Sequence, residues 1–352
     1  MGAIYVSTAY LASILSKPTM ALQRALVDAQ TEAVTGQHAN LGSYLGARAG
    51  FELSLRNQIG ELKAFTNSNS VAATRLDATQ AALGSIRAGA QSVLENIASW
   101  LGAGGTGQSL DMVGSNALAD LASAGNTSAA GQYVFGGENA GVAPLKDNLA
   151  SPTSAARSAV ESSFQSAFGF SLSDPRTAAI SGSQMQAYLD GAFKTLFDVA
   201  AWTANWSNAS DVNPSIRISP DASISTAANA NSEGIRTLAQ AYAMMNEFCG
   251  ARFNPAARGV VARAASGLIS QGIGSIVGEQ AGVGVAQKRV DEANQAISQQ
   301  SNLISKQVGV LDNVDLNEVS VTINALTTQI QTSYALTSRL RSLNLAQYVA
   351  GA

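Results

Sequence analysis

Apolar residues return at every seventh position over long stretches of this chain. Leu55, Leu62, Leu76, Leu83, Ala90 and Ile97 form one row, with Asn69 taking a place in it. Phe65, Ala72, Thr79, Ile86, Val93 and Trp100 form the neighbouring row. Two adjacent rows at this spacing make a single stripe on an α-helix. No proline falls between Ala47 and Leu101, and the cluster Gly102–Gly107 supplies a stop, so one helix is predicted over the whole span. At the helical rise it would be roughly 80 Å long. Such a helix has to bury its stripe against a partner of similar length.

The second half of the chain carries that partner. Ile269, Ile276, Val283, Val290, Ile297, Ile304 and Leu311 also stand seven apart. Gly267, Gly272, Gly274, Gly278, Gly282 and Gly284 lie in the same stretch, and each costs a helix interior about 1 kcal/mol relative to Ala. A loop is the competing reading. The unbroken row and the lack of proline predict a helix from about Ala257, in which the glycines would allow close backbone approach.

The row breaks at Leu311–Glu318, where Asp315 and Glu318 have the spacing of a capping box. Beyond it, Leu316, Ile323 and Ile330 form one row and Val319, Leu326 and Leu340 another, predicting a terminal helix over Leu316–Tyr348. The chain start has a counterpart in Leu15, Leu22 and Ala29 beside Leu26 and Ala33, ending at Thr35-Gly36. Pro18 is expected in the first turn of the main part of that helix.

The middle of the chain changes character. Residues 108–130 read as a shorter helix and Tyr133-Val134-Phe135, bounded by glycines, as a strand and turn. Ser158–Phe168 is a short element, Ser183–Trp206 a helical stretch and Ser215–Ser219 a strand, and a helix over Ile224–Phe248 leads back. The fold class is therefore mainly α: a long antiparallel helical bundle built from both chain ends, with a small mixed middle or tip domain. The expected domains are 1–45 with 312–352 (terminal coiled coil), 46–145 with 223–311 (helical bundle) and 146–222 (tip), with a hinge over 36–50.

Composition narrows the chemistry. Charged residues make up only 13% and net charge is −3, with no basic stripe, so nucleic acid and anionic membrane are poor partners. No run of about eighteen apolar residues predicts a membrane span. His38 is the single histidine, which leaves a catalytic triad or a His-rich metal site hard to assemble; it is expected to be solvated in a polar turn. Gly102–Gly107 formally matches a dinucleotide loop, but a helix rather than a strand precedes it. Asp291-Glu292 beside Lys288 and Arg289 reads as a solvated ion-pair face. The lone Cys249, in apolar helical surroundings, reads as a buried structural thiol. No cofactor, metal or catalytic residue is expected, and an enzyme of unknown chemistry is the remote alternative. The start lacks the basic region of a secretory signal, so export is expected without a cleaved signal peptide.

The start Ile4–Leu15 with Val34–Gly36, and the end Val314–Val349, resemble the two terminal segments of the flagellin family. The motif Gly131-Gln-Tyr133-Val-Phe135-Gly-Gly137, followed by Ala143-Pro-Leu145, is similar to a signature of the family's junction members, which join hook to filament. Gly131, Tyr133, Phe135 and Gly137 carry it. The chain departs from the family after Gly36, where no acidic pair and proline follow. The resemblance implies an extracellular, non-enzymatic flagellar part, exported by the flagellar type III route. The partners it implies are other copies of itself in a ring, hook-associated protein 1, flagellin and an export chaperone. A filament flagellin is the alternative within the family. Leu15, Leu22, Leu26, Leu316, Val319, Ile323, Leu326, Ile330 and Leu340 are the candidate assembly interface, because a two-helix pair alone leaves apolar surface uncovered.

Overall fold

The computed structural model describes residues 8–146, 151, 153–225 and 228–349; the side chains of 8–16 and 340–349 lie outside the description. Two compact units emerge, Met1–Lys63 with Ser298–Ala352, and Ala64–Ile297.

In the first unit, helix α1 (Thr8–Thr35) pairs with the last helix, α10 (Leu316–Val349). The pair is antiparallel. Thr19 and Ser333 share a hydrogen bond at 2.9 Å, and Gln23 donates to the Tyr334 hydroxyl at 2.7 Å. At the other end the Val314 amide donates to the Gly36 carbonyl at 3.1 Å. Helix α1 stops at Gly36 because that residue takes φ +71°, a left-handed conformation that closes a helix. Pro18 sits inside α1 rather than in its first turn. Its position is exposed, so water can satisfy the carbonyl that proline cannot bond. Asp315 caps α10, its Oδ1 accepting from the Asn317 amide at 2.8 Å. Between the termini lie the short helix α2 (Leu41–Leu45), the start of α3 (Ala49–Gly102) and the end of α9 (Pro255–Asp312). Helices α3 and α9 are each continuous, as the heptad rows predict.

The second unit holds the main core. Leu76, Leu83, Ala90 and Ile97 of α3 and Ile269, Ile276, Val283 and Val290 of α9 are all buried. Asn69 occupies a heptad position at 0% exposure, where its amide donates to the Ile218 carbonyl at 2.9 Å and to Asn294 Oδ1 at 2.8 Å. Its Oδ1 is buried without a partner among the described residues, and the two bonds from Nδ2 tie this level of α3 to Ile218 and to α9, as a polar residue at one core position does when it sets helix register. Helix α4 (Leu110–Gly125) packs on α8 (Glu233–Phe248), which is buried around nearly its whole circumference. Gly114 permits that contact: a Cβ there would lie 2.6 Å from the Asn246 amide nitrogen.

The glycines of α9 divide into two groups. At Gly267, Gly274 and Gly278 an added Cβ would meet nothing within 4 Å, so these serve no close approach. At Gly272 it would meet the Leu238 side chain at 2.7 Å, and there close packing needs glycine. By length and composition α9 is apolar enough to cross a membrane, with an 18-residue window of mean hydropathy 1.3. Its heptad row nonetheless faces the core of this unit.

The middle of the chain joins the same core. Helices α5 (Ala155–Phe168), α6 (Gly182–Tyr188) and α7 (Val199–Asn205) bring Phe164, Tyr188 and Trp202 inward. The Phe164 ring stacks 5.9 Å from Phe248 of α8, and Trp202 stacks parallel to Trp206 at 5.6 Å. The helical stretch expected over Ser183–Trp206 is broken: Gly191 leaves helical geometry (φ −105°, ψ −105°), and a π turn and a 3-10 turn follow α6 before α7 starts. The helix expected from Ile224 starts instead at Glu233, capped by Ser232. Ile224 belongs to strand β4 (Ala222–Ser225), paired antiparallel with β3 (Ser215–Ser219) and facing the core. The strand expected over Tyr133–Phe135 is shorter: β1 (Ser128–Ala129) pairs with β2 (Gln132–Tyr133), after which Val134 and Phe135 turn inward.

Candidate assembly interface

The paired terminal helices carry two apolar surfaces. One faces inward: Val319 and Ile330 are buried, and Leu22, Leu26, Ile323 and Leu326 are half-buried. Ala29 of α1 is buried with them. Leu316, from the same heptad rows, is exposed. Leu15 and Leu340 fall among the side chains outside the description.

The other surface faces out. Met20, Val27 and Val34 stand seven apart on α1 and are 57%, 59% and 88% exposed. Val321 and Leu336 of α10 are open as well. These side chains are largely open to solvent. Their spacing is visible in the sequence, yet the stronger inner rows mask it. Tyr44, Phe51 and Leu53 add exposed apolar area near the connector.

The connector itself is ordered. His38 is not solvated as expected: its ring stacks on Tyr44 at 3.6 Å and its Nδ1 lies 3.5 Å from Glu32. Glu32 Oε1 also accepts from the Ala39 amide at 3.0 Å. An isolated bridge joins Gln37 to Asn313. This chain lacks the acidic pair and proline expected after Gly36, and it folds back through these contacts instead.

The Gly131–Gly137 motif lies in the second unit and is a clasp rather than an open surface. Ala130 (φ +50°) and Gly131 (φ +77°) form the turn between β1 and β2, where two left-handed residues suit the strand twist. Tyr133 is half-buried and Phe135 is fully buried. The Phe135 carbonyl accepts from the Ala230 amide at 2.9 Å and the Gly136 carbonyl from the Ser210 amide at 3.1 Å. Gly137 (φ +60°) is forced twice over, since a Cβ would lie 2.4 Å from the Ser210 carbonyl oxygen. Farther along, Glu138 donates to Val212 at 3.0 Å, the Pro144 carbonyl accepts from Asn208 at 2.8 Å, and Lys146 donates to Trp206 at 3.0 Å. Residues 206–212 thus hold the motif by main-chain bonds. Side chains add to this grip, Ser207 Oγ donating to the Pro144 carbonyl and Asn208 Nδ2 to the Ala143 carbonyl, both at 3.1 Å.

Among the described residues no cluster of His, Cys, Asp or Glu has the grouping of a metal site. Cys249 is buried, and burial pushes its thiol up to about 12. Lys288 and Glu292 pair in the open at 3.6 Å.

Two long helices from opposite chain ends, paired and carrying a free apolar row, define a structural subunit built to pack with others. Residues 6–140 match the bacterial flagellin N-terminal helical region, and residues 267–349 match the bacterial flagellin C-terminal helical region. These regions take in well over half of the chain, and the chain belongs to the bacterial flagellin family. It is a structural component of the flagellum, from a family whose members are exported and self-assemble outside the cell. No curated protein matches it.

Proposed function

We propose that the chain works as a hook–filament junction protein of the hook-associated protein 3 kind, forming a ring that connects the hook, through hook-associated protein 1, to flagellin. The observation that carries this reading is the Gly131–Gly137 motif, whose similarity to the junction signature extends to residues that the fold uses. Gly131 makes the turn, Phe135 fills the core and Gly137 fits beneath the Ser210 carbonyl. Before assembly the chain travels unfolded through the flagellar export route, held by an export chaperone.

Contacts between copies use the outer row Met20, Val27 and Val34, together with Leu316, Val321 and Leu336. The inner residues Leu22, Leu26, Val319, Ile323, Leu326 and Ile330 keep the pair together so that this row is presented. The second reading is a filament flagellin, favoured by the matches at both ends being to flagellin regions in general. Electron microscopy of a strain lacking this chain separates the two readings. Bare hooks, with flagellin released to the medium and a second intact flagellin gene still expressed, are the expected result. Normal filaments on those hooks would reject the junction role.

A further inference from the structure

Helices α3 and α4 line a groove of about 560 Å³ in the second unit, and Tyr242 of α8 contributes to its floor. Small polar residues form two stripes along it. Ser85, Gly89, Ser92 and Asn96 follow one another on α3, and Asn116, Asp120, Ser123 and Thr127 follow with the same spacing along α4 and just past its end. Steps of three and four residues keep each set on one helix face. Beneath the stripes Ile86, Val93, Val113, Ala117 and Leu121 are buried and make an aliphatic bed. The volume falls within the range of small-molecule sites, roughly 300–1,000 Å³.

The polar groups of this groove are unspent. The side chains of Ser92, Asn96, Asn116, Ser123 and Thr127 make no hydrogen bond to any described residue. Asp120 is exposed and forms no ion pair among the described residues. Tyr242 carries the most weight. It is 2% exposed, yet its hydroxyl has no hydrogen-bond partner among the described residues. A polar atom carried that deep is normally satisfied. Burial and the charge of Asp120, which lines the same groove, push the phenol's pKa up and keep its proton in place. The wall is open at Gly89, where an added Cβ would meet nothing within 4 Å.

We propose that this groove binds a neutral saccharide, whose hydroxyls bridge Asp120 and Tyr242. No Lys, Arg or His lines it, so a phosphate or carboxylate ligand would meet Asp120 without a counter-charge. An ammonium ligand would pair with Asp120 but has no acceptor for the Tyr242 proton. A hydroxyl answers both groups. Its hydrogen donates to the Asp120 carboxylate, and its oxygen accepts from the Tyr242 hydroxyl. A sugar repeats such hydroxyls around its ring, where the Ser92–Asn96 and Asn116–Ser123 stripes meet them, and lays its C–H face on the bed of Ile86 and Val93. The site lies wholly in the second unit, and the junction role neither requires nor excludes it.

The test is saturation-transfer NMR titration of the full-length chain with maltotriose, cellotriose and mannotriose. At least one of these should bind. Tyr242→Phe removes only a hydroxyl without a protein partner, and Gly89→Leu fills the groove from a position with open space, so both should keep the parent's circular dichroism. Each of them, and Asp120→Asn, should weaken the Kd of that trisaccharide about tenfold or more. If one of the three variants fails to fold, the other two decide. Silence from all three neutral sugars overturns the proposal. So does tighter binding of cationic chitosan trisaccharide or anionic trigalacturonate than of any neutral sugar. Binding that survives Gly89→Leu or Tyr242→Phe unchanged also overturns it, because the sugar would then sit elsewhere.

Discussion

Glu279 makes the stability of the second unit depend on pH. It sits on α9 against the start of α8, where a Cβ on Gly234 would come within 3.1 Å of its Oε1. Burial raises its pKa from an ordinary value of 4.5 to about 7, and a hydrogen bond from Ser232 offsets only part of that shift. Its Oε2 is buried without a partner. An acid whose folded-state pKa is raised holds its proton longer in the folded chain. Stability is therefore greatest below the unfolded value and falls as pH rises from about 4.5 to about 7. Linkage gives a penalty of about 1 kcal/mol at pH 5 and about 3 kcal/mol at pH 8. Glu279→Gln keeps the shape and cannot ionise, so it should stabilise the protein by about 2 kcal/mol more at pH 8 than at pH 5. Urea unfolding of parent and variant at both pH values, followed by circular dichroism, measures this difference. The comparison cancels other titrating groups, including Glu247, whose pKa burial also raises. Equal effects at the two pH values, or a loss of stability at pH 8, would refute the account of this carboxylate.

Gly137→Ala should cost roughly 2 kcal/mol or more, because the new methyl meets the Ser210 carbonyl at a left-handed backbone position; an unchanged urea midpoint would mean that the clasp tolerates a side chain. Ile323→Asp puts a charge in the α1–α10 seam and should open that pair while leaving the melting of the second unit intact. A collapsed melt would instead tie the terminal helix to the core. Val27→Asp should leave the monomer's circular dichroism unchanged, because Val27 is 59% exposed, yet abolish motility; swimming at parental speed would remove the outer row from the interface.

The long helices are legible because periodicity is cheap to read when it persists. The rows through Leu55–Ile97, Ile269–Leu311 and Leu316–Ile330 mark out most of α3 and α9 and the first half of α10. Even the glycines of α9 do not disturb that reading, since Gly267, Gly274 and Gly278 lie on an outer face where they lose helix propensity but no packing. Short elements decided by distant partners are less legible. Ile224 and Ser225 fit a helical pattern, but pairing with Ser215–Ser219 makes them strand. Gly191 breaks a stretch whose apolar spacing gives no warning.

Half of the interface is legible on the same grounds. Inner positions such as Val319 and Ile330 stand out by their spacing and are buried, whereas the outer row starting at Met20 runs along α1 beside that helix's own inner row and has weaker residues. The clasp around Phe135 and Gly137 is legible only as a motif. What it grips is mostly carbonyls and amides in residues 206–212, which leave no trace in side-chain identity, and the Ser207 and Asn208 side chains that join them carry no pattern of their own.

The central claim is a location as well as a role, and immunogold electron microscopy of an epitope-tagged chain on intact flagella tests it most directly. The account predicts gold in a single narrow band where hook meets filament and none beyond it. Label distributed along the filament would contradict it and make the chain a filament subunit.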